Sequence, residues 1–301
     1  MSSASSNVRG TKPGRKIEES IERDGAIRRG ERVVIACSGG PDSVALAAIL
    51  HAVSKPMRLM LTLGHVNHGT RASAWQDEAV VLSVGGSLGL PVRIERLRLT
   101  SGDEATLRDA RYAALSRLAA NVAANVVATG HTAGDQTETV LLALFRGTGP
   151  TGIAGMSARR PLNGGAELAR PLLRFTRADL LAYAGAKGLP YALDPTNADV
   201  ALRRNALRQA LEALRPVFPR LDEAVARAAQ LAADERDRSA PALLRRRIRS
   251  ALHEEAVGGV DFAHVEAAVR ALEEGRRGSF WMAPGVEVEV KDGALEVRRQ
   301  S

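Results

Sequence analysis

The first 145 residues alternate between short apolar segments and longer segments with helical spacing, and this alternation is the strongest constraint on the fold. Strands that alternate with helices of this length indicate a parallel sheet with helices on both faces. The strands are predicted at 31–36, 58–66, 92–99 and 125–131, and the helices at 43–53, 73–89, 103–122 and 135–145. We therefore predict an α/β fold, in which ligands bind beyond the carboxyl ends of the strands.

The pattern changes after about residue 150. A Thr176/Asp179 pair is suited to capping a helix over 176–188, and from about Pro216 the sequence becomes Ala/Arg-rich and helical. The segments "GVEVEV" and "ALEVRR" flank Lys291-Asp292-Gly293, which predicts a terminal β-hairpin. The predicted domains are a disordered basic tail over 1–16, an α/β domain over 17–215 and a small, mostly helical domain over 216–301.

Composition excludes several classes of protein. Hydrophobic residues make up 45% of the 301 residues, enough for one large core and a second, smaller one. No apolar run approaches the roughly 18 residues of a membrane span, and residues 1–16 lack the apolar stretch of a secretory signal. We expect a cytoplasmic protein with no membrane segment. Cys37 is the single cysteine, which excludes an internal disulfide and a cysteine-based zinc site.

The net charge of +8 is unevenly distributed. Residues 203–249 contain twelve arginines against six acids, a pattern that phosphate-rich partners favour because each neutralised phosphate releases a counterion. On charge alone, an arginine-rich surface without a nucleic-acid partner is an equal alternative. The residues predicted to bind a nucleic acid are Arg203, Arg208, Arg245, Arg246 and Arg247.

The segment "CSGGPDS" interrupts the first strand–helix unit with a glycine loop. Gly39 and Gly40 permit backbone angles that let successive amide groups turn toward one anion, and the following helix presents its positive end. A Walker A loop needs Gly-Lys, which occurs nowhere in the chain. The segment 147–152 matches GxGxxG but follows a helix, so its context fails. The residues predicted to bind a phosphate-bearing ligand are Ser38, Gly39, Gly40, Pro41, Asp42, Ser43 and His65.

Three further polar residues follow the fourth strand. Asp135 and Glu138 are three residues apart and share a helix face, so both carboxylates are able to reach one Mg²⁺. The alternative is a pair of first-turn acids that complement the helix dipole. His131 is either a neutral donor to phosphate or a histidine that merely ends the strand. Asp42 likewise has two alternative roles: it positions a metal ion or the loop, or it only caps the helix that follows.

The loop resembles the SGGxDS pyrophosphate loop of the N-type ATP pyrophosphatases. Several other motifs follow in an order similar to that of the bacterial tRNA(Ile)-lysidine synthetase family, over roughly residues 30–210: "GHVNHGTR" (64–71), "LRDARYAAL" (107–115), "ATGHTAGDQTETVLLALFRGTGPTGIAGM" (128–156), "RPLLRFTRADLLAY" (170–183) and "DPTNADVALRRNALR" (194–208). Many members of that family carry Asp-Asp where this chain has Gly134-Asp135. The second acid is retained here.

The resemblance implies an adenine nucleotide α-hydrolase-like fold and a two-step reaction. ATP, with Mg²⁺, adenylates the C2 oxygen of the wobble cytidine in the CAU anticodon of tRNA(Ile), and free L-lysine then displaces AMP. It also implies a homodimer as one arrangement. The catalytic residues carried over are Asp42, Arg111, His131, Asp135 and Arg204, with Asp135 and Glu138 as metal ligands.

Three other functions compete with this interpretation. A thiolating enzyme that adenylates tRNA generally needs catalytic cysteines or an iron–sulfur cluster, and the chain has one cysteine. A small-molecule ligase such as NAD synthetase has no need for the arginine-rich segment. A non-catalytic RNA-binding protein with a relict nucleotide loop is disfavoured by the intact loop and by Asp135.

Overall fold

The computed structural model describes residues 13–67, 74–97, 104–148, 150–192, 203–236, 240–254, 262–273, 279–283, 286–291 and 294–299. The chain divides into two compact units, Met1–Leu142 with Met156–Ala226, and Ala143–Gly155 with Arg227–Ser301. The first helix already begins at Pro13, inside the range predicted as a tail, and residues 1–12 lie outside the described residues. The predicted functional division near residue 216 stays a prediction.

A six-stranded sheet forms the centre of the first unit. Its strands, in chain order, are β1 (Arg32–Ala36), β2 (Met60–Asn67), β3 (Val92–Arg96), β4 (Val126–Ala128), β5 (Arg159–Pro161) and β6 (Glu167–Ala169). The spatial order is β3-β2-β1-β4-β6-β5, and every neighbouring pair is parallel except β5 with β6. The predicted parallel sheet is confirmed. The antiparallel edge went unpredicted because its strands have three residues each, too few for a period.

Of the described helices in this part of the chain, five lie within four residues of their predicted bounds, and three, at Pro13–Arg23, Pro150–Ile153 and Arg203–Leu214, were not predicted. The helices are α1 (Pro13–Arg23), α2 (Pro41–Met57), α3 (Ala74–Leu88), α4 (Glu104–Asn121), α5 (Ala133–Phe145), α6 (Pro150–Ile153), α7 (Arg177–Ala186), α8 (Arg203–Leu214) and α9 (Leu221–Arg236). The helix α2 starts at Pro41, two residues earlier than predicted, because the fixed backbone angle of proline suits the first helical position. Among the described residues, no helix has the length and apolar composition needed to cross a membrane.

Two separate hydrophobic clusters cover the two faces of the sheet. Val33 and Ile35 of β1 pack with apolar side chains of α1, α2, α3 and α7. Val34 of β1 and Val127 of β4 pack with α4 on the other side. This division follows from the strand itself, because successive side chains point to opposite faces. The helices on both faces are thereby confirmed.

The second unit has its own core. Its elements include α10 (Ala240–Glu254), α11 (Phe262–Glu273), β7 (Ser279–Ala283), β8 (Val286–Lys291) and β9 (Ala294–Arg299). Ile248, Val265 and Met282 are among its buried residues, each at most 2% exposed. The strands β8 and β9 pair in antiparallel register, which confirms the predicted terminal hairpin, and β7 adds a third strand.

Candidate active site

The candidate site lies at the point where the order of the parallel strands reverses. From β1 the chain proceeds outward to β2 and β3, and it then returns to place β4 on the other side of β1. Such a switch point leaves a crevice beyond the carboxyl ends of the two central strands. The glycine loop follows β1, and residues 129–132 follow β4. The topology therefore brings the loop and the second set of predicted site residues to one edge.

The glycine loop folds around the Ser43 hydroxyl. Ser43 Oγ donates to the Gly40 carbonyl at 2.8 Å and accepts from the Ser38 amide at 3.1 Å. Gly39 has φ of +87°, a backbone conformation that residues with a Cβ rarely adopt. Gly40 is the N-cap of α2 and makes no side-chain cap hydrogen bond, so the positive end of the helix remains for an anion. Of the two glycines, only Gly39 adopts the predicted unusual backbone conformation, since Gly40 is extended with φ of −75°. The nucleotide contacts of the loop stay a prediction.

Two residues outside the loop hold its backbone in place. His65 is 4% exposed, and its Nδ1 lies 2.8 Å from the Cys37 carbonyl oxygen. A carbonyl only accepts, so Nδ1 is the donor. His65 therefore holds the backbone that leads into the loop, through the Cys37 carbonyl. Its predicted direct contact with ATP stays a prediction. A Cβ built on Gly130 would stand 3.0 Å from the Asp42 carbonyl oxygen and 3.2 Å from the Ser43 nitrogen.

The close approach at Gly130 makes a testable prediction. Gly130→Ala is expected to weaken ATP binding about tenfold and to lower the free energy of unfolding by about 1–3 kcal/mol, because the added methyl meets loop backbone rather than a flexible side chain. Calorimetric titration and urea unfolding measure the two effects. Gly185→Ala is the matched control, since its Cβ meets nothing within 4 Å. Equal behaviour of the two variants would contradict the prediction.

Asp135 is both a helix cap and a site residue. Its Oδ2 accepts from the Thr132 amide at 2.9 Å and from the Thr132 hydroxyl at 3.0 Å, while its own amide approaches the Thr132 hydroxyl at 3.3 Å. This reciprocal arrangement is a capping box at the start of α5. Its second oxygen, Oδ1, accepts from Arg204 Nη2 at 3.3 Å. One oxygen therefore caps the helix and the other contacts Arg204, while the role of Asp135 as a metal ligand stays a prediction.

Glu138 is committed to two arginines of α8. Its side chain is 3% exposed, Oε2 accepts from Arg204 Nε at 2.6 Å, and Oε1 accepts from Arg208 Nε at 2.7 Å. Both carboxylate oxygens thus take part in an ion-pair network with α8, and the role of Glu138 as a metal ligand stays a prediction. Arg208, which was predicted to bind tRNA, lines the cavity of the site, because its guanidinium group pairs with Glu138. Among the described residues, no group of three or more His, Cys, Asp and Glu side chains is arranged as a metal centre.

Asp42 carries a buried oxygen without a hydrogen bond among the described residues. Among the described residues, nothing hydrogen-bonds its Oδ1, which is inaccessible to solvent, and the nearest cation is Arg177 Nε at 3.9 Å. Burial raises the pKa of this carboxyl, Arg177 opposes the shift and Asp135 adds to it. Asp42 and Asp135 line a cavity of about 440 Å³. An unsatisfied carboxylate oxygen beside a second acid suits Mg²⁺, which is bound by one or two carboxylates together with phosphates.

His131 lies after β4 and is held neutral. Its Nδ1 shares a 2.8 Å hydrogen bond with the Thr129 hydroxyl. Burial lowers the pKa of His131 from 6.5 to about 4; Asp135 opposes this shift, and the nearby cations, Arg170 foremost, reinforce it. At neutral pH the ring is therefore uncharged, as expected of a neutral donor or acceptor.

The lowered pKa of His131 predicts a pH dependence of stability. The unfolded chain takes up this proton near pH 6.5 and the native chain only near pH 4, so acid favours the unfolded state. The corresponding stability is complete above pH 6.5 and is lost as the pH falls toward 4, by up to about 3 kcal/mol. Urea unfolding of the unsubstituted chain and of His131→Gln should diverge over this window. If the difference in the free energy of unfolding between the two chains is constant from pH 6.5 to pH 4, the prediction is wrong.

A group of arginines around Tyr112 was missed by the sequence interpretation. Arg160 Cζ lies 4.9 Å and Arg108 Cζ 5.7 Å from the centre of the Tyr112 ring. Arg170, 3% exposed, follows β6 and donates to the Ser157 carbonyl at 2.8 Å. Together the cations lower the pKa of Tyr112 against the opposing effect of burial. In the sequence, Arg170 was marked only as the first residue of the motif "RPLLRFTRADLLAY" (170–183).

The remaining predicted residues lie in different environments. Arg111 is exposed on α4, and its predicted catalytic role stays a prediction. Arg203 begins α8, but its side chain lies outside what the structure describes. In the second unit, Arg245 Nε donates to Glu266 Oε1 at 2.5 Å and is partly buried, whereas Arg247 is exposed on the same helix. The predicted tRNA-binding arginines therefore differ in their access to a partner.

The fold and the loop define a class of protein: an α/β nucleotide-binding domain with a phosphate loop at the switch point of its sheet. A model of the PP-loop domain matches residues 11–214, about two thirds of the chain. The chain belongs to the PP-loop domain family.

Relatives of known name match the same part of the chain. The tRNA(Ile)-lysidine synthase of Symbiobacterium thermophilum is 40% identical over 217 residues, which cover 70% of this chain and 44% of that protein. The protein of the same name from Salinispora tropica is 44% identical over 207 residues, or 67% of this chain and 62% of that protein. The chain thus spans about half to three fifths of the length of these two relatives.

A solved structure supports the fold alone. The U34-tRNA thiolase of Methanococcus maripaludis, solved with its [4Fe-4S] cluster, superposes with a TM-score of 0.61 at 18% identity. The match covers 72% of this chain and 77% of that one. The predicted adenine nucleotide α-hydrolase-like architecture is consistent with this likeness.

Proposed function

We propose that this chain joins free L-lysine to C2 of the wobble cytidine in the CAU anticodon of tRNA(Ile), at the expense of ATP. The product, lysidine, shifts codon and amino-acid specificity from methionine to isoleucine. One observation carries the proposal: a phosphate loop at the switch point opposes an acid–arginine network, in a chain 40% and 44% identical to two enzymes of this name. The same substrate favours a cytoplasmic location.

The first step of the proposed reaction transfers the AMP group. The cytidine C2 oxygen attacks the α-phosphorus, the bond to the β-phosphate oxygen breaks, and pyrophosphate leaves with the electron pair. In the proposal, the amides of the Ser38–Ser43 loop and the start of α2 hold the phosphates. Arg204, fixed by Asp135 and Glu138, stabilises charge on the α-phosphate.

The second step replaces AMP by lysine. An uncharged lysine amine attacks C2, the C2–O bond breaks, AMP leaves, and the new C–N bond forms with loss of a proton. His131 is neutral at physiological pH, which suits a hydrogen-bonding role beside the reacting groups without adding charge.

Mg²⁺ is part of the proposal. When bound, it would neutralise phosphate charge during adenylation. The residues proposed to hold it are Asp42, whose buried Oδ1 is unsatisfied in the described part of the chain, and Asp135. Glu138 instead orients Arg204 and Arg208.

A thiolating function is the principal rival, since the structurally similar enzyme is a tRNA thiolase. Protein-bound iron–sulfur clusters are held mainly by several cysteine thiolates. This chain has one cysteine, Cys37, and it is 2% exposed beneath the loop. Lysine addition needs no thiol and is therefore preferred.

Lysine incorporation tests the proposal directly. The full chain is incubated with labelled lysine and unmodified tRNA(Ile) bearing CAU, with and without ATP. We expect ATP-dependent label in this tRNA and none in the methionine tRNA with the same anticodon. Pyrophosphate release without label would retain adenylation and reject lysine as the nucleophile. Neither signal from folded protein would reject the enzymatic function. Light scattering of the same preparation tests the predicted homodimer.

The helix α10 supplies a prediction about tRNA affinity. Reversing the charges of Arg246 and Arg247 to Glu is expected to weaken tRNA binding at least about tenfold at 0.1 M salt and to flatten its salt dependence. Filter binding across a salt series measures both. Arg220→Glu is the control, because Arg220 is exposed but pairs locally with Glu223. Unchanged affinity in the double variant would remove this segment from the tRNA-binding surface.

A further inference from the structure

We propose that Arg177 is a phosphate-binding residue that holds the β- and γ-phosphates of ATP and neutralises pyrophosphate as it leaves. This inference rests on the proposed use of ATP and adds a residue to that site. Neither the glycine-loop motif nor the acid–arginine network includes Arg177. It is the first residue of α7, more than 130 positions along the chain from the loop.

The position of Arg177 beside the loop is set by packing. Leu180 and Ala184 of α7 are fully buried in the same cluster as α2, the helix that begins at the loop. A capping box between Thr176 and Asp179 fixes the first turn of α7. After α7, the Ala192 amide donates to the Gly39 carbonyl at 2.9 Å. Arg177 thus stands on a rigid element joined to the loop at two places.

The contacts of Arg177 differ from those of the other arginines in the cavity wall. Arg208 donates to Glu138 at 2.7 Å, and Arg215 donates to Glu212 at 2.6 Å and to Asp222 at 3.0 Å. These guanidinium groups are held by carboxylates of the wall itself.

Arg177 is held only loosely. Its Nε lies 3.9 Å from Asp42 Oδ1, beyond hydrogen-bonding distance, and its side chain is 46% exposed. Asp42 Oδ1 is itself buried without a hydrogen bond among the described residues. A cation and an anion that face each other across this gap leave room for a ligand that satisfies both. A metal-bound polyphosphate does so, because its metal binds the carboxylate and its oxygens accept from the guanidinium fork.

The position also matches the direction of the reaction. Breaking the bond between the α-phosphorus and the bridging oxygen leaves additional negative charge on the departing pyrophosphate. A guanidinium beside the carboxylate of the phosphate loop is suited to receive that charge. Arg204 lies with Asp135 and Glu138 on the α5–α8 side. The proposal therefore assigns Arg204 to the α-phosphate and Arg177 to the leaving group.

Calorimetric titration with ATP, inorganic pyrophosphate and AMP, each with excess Mg²⁺ and without tRNA or lysine, tests this assignment. Arg177→Gln is expected to weaken ATP and pyrophosphate binding about 10- to 100-fold and to change AMP binding less than twofold. Arg177→Lys, which keeps the charge but not the fork, should lose less. Arg174→Gln is the matched control, since Arg174 is 65% exposed and pairs with Asp24.

Two results would overturn the proposal: unchanged binding of all three ligands, or an equal loss for AMP, which would mean that the substitution acts through displacement of the loop. Because titration needs neither tRNA nor lysine, a chain that binds ATP but makes no lysidine would refute the proposed function and leave the Arg177 result standing.

Discussion

Replacing Asp42 by asparagine is expected to reduce tRNA-dependent pyrophosphate release about 10²- to 10³-fold, the largest catalytic effect that we predict. The amide keeps the size of the side chain but removes the charge that is proposed to bind Mg²⁺ and to oppose Arg177. Loss of a preorganised electrostatic group in a buried site typically costs about 3–4 kcal/mol of transition-state stabilisation. Pyrophosphate release measured at saturating ATP and tRNA gives the effect on the chemical step.

Two controls accompany the Asp42 variant. Its affinity for tRNA should stay within twofold, because the substitution is confined to the nucleotide site. Glu19→Gln, which alters an exposed carboxylate of α1 that pairs only with Arg15 in the described part of the chain, should retain most activity. Turnover of Asp42→Asn within tenfold of the unsubstituted chain would remove Asp42 from the catalytic residues.

Replacing Glu138 by glutamine is expected to lower the free energy of unfolding by about 3–5 kcal/mol, the largest stability effect that we predict. The side chain is 3% exposed and accepts from two arginines that are each less than 30% exposed. Removing the carboxylate leaves two partly buried cations with only the longer contacts to Asp135 Oδ1, at 3.3 Å from Arg204 and 4.0 Å from Arg208. Breaking such a buried pair costs far more than a surface pair contributes. Urea unfolding monitored by circular dichroism measures the loss.

Glu212→Gln is the matched control for Glu138. Glu212 also contacts an arginine, Arg215, but its side chain is 68% exposed, so we expect a change below about 0.5 kcal/mol. The pair of variants also separates the two roles considered for Glu138. A metal ligand would lose activity with unchanged stability and regain part of it at high Mg²⁺. If Glu138→Gln changes the free energy of unfolding by less than about 0.5 kcal/mol and its activity is rescued by Mg²⁺, the result would support Glu138 as a metal ligand.

The sequence alone was sufficient for the strands β1 to β4, for the helices that alternate with them and for the position of the loop. Alternating apolar periods place strands and helices because the period is a local property of the chain. The glycine loop was equally readable, since its residues are adjacent and their backbone preferences are intrinsic. The terminal hairpin followed from turn chemistry at Lys291-Asp292-Gly293. In contrast, β5 and β6 have three residues each and form only because they pair with each other and with β4.

The partners of the charged residues were decided by the tertiary structure. From the sequence, Asp135 and Glu138 were equivalent first-turn acids. In the fold, Glu138 meets Arg204 and Arg208, which lie 66 and 70 positions further along the chain. Asp42 meets Arg177 on another helix, and Arg170 is buried after β6. Residue spacing determines local periodicity and turn geometry. The environment of a charged side chain depends instead on which distant elements pack beside it, and their packing is determined only by the tertiary fold.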